Sequence, residues 1–300
     1  MRRLNRFITL AVLLGFLLTM VFPFANQEVQ AVISPLTGGG GTPPSPSPAY
    51  IMVNGLSLNA GTLTTGLEGN QTVTTVNIDG GKVGNLLGPA AYGATVVIPF
   101  SADTDVFRTS VDGQTVMGME MLAMTLQMKG GNVIYTLPPA LTNIEQIIAN
   151  LGSQVDLKDI KVDISMGSSP DNTVNVIQDT ANRNNYQIVV KPVEFEIACT
   201  YGGQTIQVSR FTTYVERMVA IPSGIDPSRI TTGVVQNSDG TFSHVPTTIV
   251  AIDEKYYAKI NSLTNSAYAV IYNPQTFADM ANHWAKADVN DMGSRLIVNG

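Results

Sequence analysis

Apolar and polar side chains alternate along the segment from Val193 to Tyr201. Val193, Phe195, Ile197, Cys199 and Tyr201 share one face, and Glu194, Glu196 and Thr200 share the other. A period of two is that of a half-buried β-strand. Further strand patterns, bounded by Gly, Asn, Asp and Pro, fall at Val73 to Ile78, Thr95 to Phe100, Val133 to Leu137, Ile160 to Ser165, Tyr186 to Val190 and Thr205 to Val208. The series continues at Tyr214 to Ile221, Thr248 to Ile252, Tyr256 to Ile260 and Ala267 to Tyr272. Gly202-Gly203 and Asp239-Gly240 are two-residue hairpin signals. Many short strands with turns between them bury their apolar faces by packing sheet on sheet. The expectation is therefore a mainly β fold with one or two β-sandwich-like modules.

One helix interrupts this rhythm, over 143–152. Asn143 is its cap, Gln146 its capping-box partner, and Ile144, Ile147, Ile148 and Leu151 form the i, i+3, i+4, i+7 stripe before Gly152. A weaker helical turn is expected around Lys82 to Leu87.

The two ends of the chain break the pattern in different ways. Met1 to Arg6 carries three arginines and no acid, Phe7 to Phe22 is an apolar run interrupted only by Thr9, Gly15 and Thr19, and Val29-Gln30-Ala31 is a small-residue cleavage site. That is the design of a secretory signal peptide over residues 1–31. The apolar run is shorter than the ~20 residues that span a bilayer, which favours cleavage over an uncleaved anchor. Residues 32–49, with a Gly run followed by Pro-Pro-Ser-Pro-Ser-Pro, read as a linker that cannot bury a core. The expected organisation is completed by β-rich modules at 50–168 and 169–273 and a distinct segment at 277–300.

Charge narrows the partners. The 300-residue chain has a net charge of −6, and loss of residues 1–31 would leave 14 bases against 22 acids. Such a surface offers no basic patch for phosphates, so nucleic acid is not an expected partner, and no membrane is expected after signal cleavage. With one cysteine no internal disulfide is possible. Stability must come from core size, for which about 225 residues between linker and C-terminal segment suffice.

Candidate chemistry is sparse. The two histidines, His244 and His283, belong to no H-E-x-x-H or Cys/His zinc pattern, and there is no G-x-S-x-G elbow. His244 reads as a surface or edge-strand residue and Cys199 as a buried small hydrophobe. Glu194 and Glu196 share a strand face and could serve a glycoside hydrolase only if the fold aimed both at one bond; adjacent like charges on an outward face are more often simply solvated. No cofactor is implied. Calcium is the metal whose oxygen ligands the chain could supply, from Asp103 and Asp105 or from Asp156, Asp159 and Asp163, although neither run matches an Asp-x-Asp-x-Asp-Gly loop. The expectation is a non-enzyme with no catalytic residues.

The C-terminal segment reads Phe277-Ala278-Asp279-Met280-Ala281-Asn282-His283-Trp284-Ala285, followed by Val289, Met292 and Leu296-Ile297-Val298-Asn299-Gly300. Asn282 is positioned to cap a helix whose Ala285, Val289 and Met292 share one face. This resembles the opening of an S-layer homology (SLH) repeat, of the pattern F-x-D-[apolar]-x-x-H-W-A. A full repeat of that family continues into a second helix with a T-R-A-E type motif, so the resemblance covers the start of one repeat. The segments Ile221-Pro222-Ser223-Gly224-Ile225-Asp226-Pro227 and Tyr256-Tyr257-Ala258-Lys259-Ile260-Asn261-Ser262 are similar to the β-rich module that precedes such repeats in surface proteins of Paenibacillus-like Gram-positive bacteria.

The resemblance implies non-covalent anchoring to secondary cell-wall polysaccharide, with Asp279, His283 and Trp284 as carbohydrate-binding residues. It thus implies a secreted structural protein of the cell wall or S-layer. The alternative expectation is a wall-attached protein whose body itself binds or hydrolyses polysaccharide.

Overall fold

In the computed structural model, residues 46–84, 88–101, 103–138, 155–237 and 239–299 are described. The signal peptide at 1–31, most of the linker and the helix expected at 143–152 lie outside the described residues.

The chain is mainly β. It opens with a hairpin of β1 (Ser47–Val53) and β2 (Leu56–Glu68), turned at Asn54-Gly55, where both residues have positive φ (49° and 83°). That geometry is what an Asn-Gly hairpin turn requires. Ser47, Pro48 and Ala49, which the sequence pattern places in the linker, are thus part of a strand. β3 (Gln71–Ile78) pairs with β2; the short helix α1 (Gly80–Gly84) and β4 (Thr95–Phe100) follow. β5 (Val106–Asp112) leads into α2 (Gly113–Met121), which Asp112 caps by accepting the Thr115 N–H at 2.8 Å. Next come β6 (Thr125–Gly130), β7 (Val133–Leu137), β8 (Lys161–Ser168) and α3 (Asp171–Arg183). β9 (Gln187–Tyr201) is 15 residues long and turns at Gly202-Gly203 into β10 (Gln204–Gln207) and β11 (Arg210–Ala220). The remaining strands are β12 (Thr232–Gln236), β13 (Phe242–Val245), β14 (Thr247–Ile252), β15 (Lys255–Thr264) and β16 (Ala267–Tyr272), and α4 (Lys286–Ser294) ends the fold.

All sixteen strands among the described residues belong to one sheet, in the order β13-β12-β16-β9-β8-β5-β3-β2-β1-β4-β6-β7-β11-β15-β14, with β10 added to β9. Among the described residues only β3–β5 and β4–β6 pair in parallel. The sheet nearly closes into a barrel, because its two ends, β13 and β14, are consecutive in the chain and separated by Pro246 alone. The first piece pairs with β12 and the second with β15. Across the bend, Thr247 Oγ1 accepts the Gly233 N–H at 2.8 Å and the Asn261 N–H donates to Pro246 O at 2.9 Å.

Alternation along the strands fills the interior. Phe107, Val111, Val162, Ile164, Met166, Phe195, Ile197 and Cys199 point inward with Val96, Ile98, Met128 and Tyr135. β16 is buried on both faces: Tyr268 and Val270 face the barrel, whereas Ala267, Ala269 and Ile271 face a second, outer core with Val234 and Ile177 of α3. That outer core is the reason for α3, whose Ile177, Thr180 and Ala181 form a helical stripe laid on the sheet. Gly61 and Gly167 hold neighbouring backbones close, since a Cβ would lie 1.9 Å from Asn77 O and 2.2 Å from Asp105 O respectively.

The most unusual interior residue is Arg217 of β11, fully buried and, among the described residues, without a carboxylate partner. Its guanidinium lies 5.1–5.8 Å from the ring centroids of Tyr135, Phe195, Phe211 and Tyr268. Nη1 donates to Val215 O at 2.9 Å, and Nη2 donates to Thr264 O at 2.6 Å and Asn265 Oδ1 at 2.8 Å. The reason is local: β11 is irregular between Arg210 and Val215, where six of its residues oppose three of β15, and the side chain supplies donors that the ladder no longer provides. Asn265 also accepts the Tyr135 hydroxyl at 2.6 Å, so one polar network ties β7, β11 and the β15–β16 turn together.

Candidate functional site

The C-terminal segment folds as a turn–helix unit docked at the end of β16. The Asn273 side chain donates to Ser294 O at 2.9 Å, the Gln275 N–H to Ser294 Oγ at 2.7 Å and the Phe277 N–H to Asn290 Oδ1 at 3.1 Å. Phe277 lies flush against Gly293, where a Cβ would be 2.4 Å from the ring. A 3-10 turn at Ala278–Met280 is chained to α4 by the His283 N–H to Met280 O and Lys286 N–H to His283 O bonds. Asn282 does not cap the helix, because the chain continues in tight turns to Ala285. The side chain that bonds the helix start is His283, whose Nδ1 accepts the Ala285 N–H at 3.2 Å. The anticipated apolar stripe is only partly realised, since Val289 is half-buried and Met292 is exposed; small and polar residues, Asn290, Gly293 and Ser294, make the contacts.

This docking leaves the three carbohydrate candidates in solvent. Asp279 is exposed in the 3-10 turn, and His283 and Trp284 stand ring beside ring with centroids 5.4 Å apart and a 33° interplanar angle. Trp284 is 88% exposed. Burying a large aromatic is among the most stabilising things a fold can do, so the indole as placed contributes little to the core. An indole face beside an imidazole can stack on a sugar ring and bond its hydroxyls.

A second concavity, of about 250 Å³, lies on the outer face of β3, β5, β8 and β9. Strand register puts Glu196 opposite Ser165 and Ser165 opposite Arg108, with Glu194 one pair along, opposite Gly167. Arg108 forms a bidentate pair with Glu68, Nη2 to Oε2 at 2.8 Å, and its Nε donates to Ser165 Oγ at 3.2 Å. This pair draws the Glu68 carboxyl below its usual range. Glu194 is half-buried, and burial, then the charge of Glu196, push its carboxyl above the usual range. The two glutamates project side by side from one strand into this concavity, about 7 Å apart along it. The Glu68–Arg108 pair escaped sequence reasoning because its members are 40 residues apart.

Three of the five calcium candidates make other bonds. Asp105 Oδ2 accepts the Thr72 N–H and hydroxyl, both at 2.8 Å, Asp156 accepts the Lys158 N–H at 3.0 Å, and Asp163 pairs with Lys161 at 2.8 Å. Among the described residues no three His, Cys, Asp or Glu side chains form a group able to hold a metal ion. Cys199 is buried among apolar neighbours, and burial pushes its thiol up to about 11. His244 lies on β13, half-buried, with Nδ1 2.8 Å from Thr232 Oγ1; burial and the charge of Arg295 push its pKa down. No helix among the described residues is long and apolar enough to cross a membrane. Compared with protein-family models, curated proteins and solved structures, the chain matches none.

Proposed function

We propose that the chain is a secreted, non-enzymatic surface protein whose β-barrel body carries and spaces a C-terminal segment that holds secondary cell-wall polysaccharide. The observation that supports this reading most is the solvent-facing Trp284–His283 pair, fixed on a turn–helix unit that is itself bonded to the body. The F-x-D-x-x-x-H-W-A pattern and the basic–apolar N-terminus agree with it. In this reading the sheets are a rigid pedestal.

Co-sedimentation with purified wall sacculi tests the proposal. The protein is expected to pellet with sacculi that retain their secondary polysaccharide, not with sacculi stripped of it, and Trp284→Ala is expected to remain in the supernatant. Equal retention of the variant would remove the proposed role of the segment.

The cleft with Glu194 and Glu196 favours a second reading, in which the body acts on polysaccharide. Its test is release of reducing ends from the same wall polymer by the protein but not by Glu194→Gln.

A further inference from the structure

The end of the outer core, where α3, the β12–β13 turn and the C-terminal segment meet, forms a concavity of about 420 Å³. That size falls among ligand pockets, which run from about 300 to 1,000 Å³. Two half-buried aromatic rings form its apolar part, Tyr186 and Phe242, with centroids 6.1 Å apart and an interplanar angle of 27°. Leu296, beyond α4, contributes from the C-terminal side.

Its polar rim is preorganised by Thr180, whose side chain is almost fully buried. Thr180 Oγ1 donates to Gly240 O at 3.0 Å and accepts from Arg183 Nη2 at 3.1 Å, and Thr180 O accepts from Asn184 Nδ2 at 2.8 Å. Asp239 Oδ1 accepts the N–H and hydroxyl of Thr241 at 2.9 and 2.7 Å; these bonds lower its pKa and keep the carboxylate ionised. Each anchor uses part of a side chain and leaves the rest for a ligand: further guanidinium N–H groups of Arg183, Oδ1 of Asn184 and Oδ2 of Asp239. The Tyr186 hydroxyl has no hydrogen bond among the described residues.

This combination selects a chemistry. Arg183 and Asp239 cancel in charge, so the rim has no preference for an ion of either sign. Donors and acceptors both converge there, which suits hydroxyl groups, each a donor and an acceptor at once. The half-exposed rings suit the C–H face of a pyranose. We propose that this groove is a second saccharide subsite, taking a neutral sugar unit of the same wall polymer that the Trp284 surface holds. The identity of the polymer rests on the function proposed above; the groove and its ligand class do not. Two subsites on one chain would raise retention through effective concentration, without either having to bind tightly alone.

The experiment is titration of the full chain with the soluble polysaccharide released from purified sacculi, by calorimetry, using Arg183→Ala, Tyr186→Ala and Trp284→Ala. Arg183 is exposed, so its variant is expected to keep the thermal midpoint of the parent, while the midpoint of Tyr186→Ala reports any loss of packing. Arg183→Ala and Tyr186→Ala are each expected to weaken binding about tenfold, equivalent to ~1.4 kcal/mol. Combining Arg183→Ala with Trp284→Ala is expected to abolish it. Binding unchanged in both groove variants while Trp284→Ala loses it would overturn the subsite and leave the wall-binding reading intact. No binding by the parent protein would overturn both.

Discussion

Arg217 and Trp284 are placed against their chemistry in opposite directions. The body buries a guanidinium completely, and the C-terminal unit leaves its one indole 88% exposed. In the body the misplacement is largely offset from within: three acceptor groups and four aromatic rings surround Arg217, leaving only its buried Nε without a partner, and these contacts also fix the irregular stretch of β11. On the C-terminal unit only the His283 ring lies against the indole. The buried guanidinium thus serves the fold, whereas the exposed indole adds little to it, which is why the proposed wall-binding role is placed on the C-terminal unit.

The sharpest way to break this contrast is Arg217→Ala, which removes the donors to Val215 O, Thr264 O and Asn265 Oδ1 and leaves a cavity, and should destabilise the protein by about 3–5 kcal/mol. Urea unfolding measures it; a midpoint equal to the parent's would show that the network is not structural. Arg217→Lys should recover little, because an ammonium cannot reproduce the forked donor geometry. A smaller, local effect is expected of Phe277→Ala. Losing the ring packed on Gly293 should loosen the turn–helix unit and speed its removal by limited proteolysis about tenfold, a difference of ~1.4 kcal/mol in local opening, while the barrel resists as before. Uniform digestion of barrel and C-terminus would contradict separate docking.

Glu194→Gln is a gentler probe. Because the folded-state pKa of Glu194 is raised, its protonated form is favoured in the fold, and stability is lost as pH rises from the ordinary value of 4.5 through the folded value. The Gln variant should therefore be the more stable at pH 7, and its advantage should vanish as pH falls below that ordinary range; thermal midpoints across pH decide. The smallest effect on stability belongs to Trp284→Ala, expected within about 0.5 kcal/mol of the parent. A larger change would mean that the indole is part of the core after all.

Strands were legible where alternation was strong. Ala267 to Tyr272 and Thr95 to Phe100 occur as read, and Val193 to Tyr201 is the second part of β9, separated from Tyr186 to Val190 in the sequence only by Lys191-Pro192. β1 and β2 were missed because Gly61, Gly66 and many threonines thin out their apolar pattern, although Asn54-Gly55 was a hairpin signal in plain view. α3 was hidden by Asn and β-branched residues of weak helix propensity, and its stripe of Val174, Ile177 and Ala181 is short. What local pattern cannot show is how remote pieces join: all strands entering one nearly closed sheet, Glu68 meeting Arg108, and Tyr186 meeting Phe242. The candidate residues on the C-terminal unit were readable because they are contiguous; the two concavities were not, because each is assembled from separate strands and turns.

The bend at Pro246 bears on life at high density. Where the two ends of the sheet meet, the unpaired stretches of main chain are pieces of four and six residues with a proline between them, and β10 adds another of four. Stubs of that length offer too few amides in a row to recruit a foreign strand, so crowded copies would be kept from zippering into fibrils.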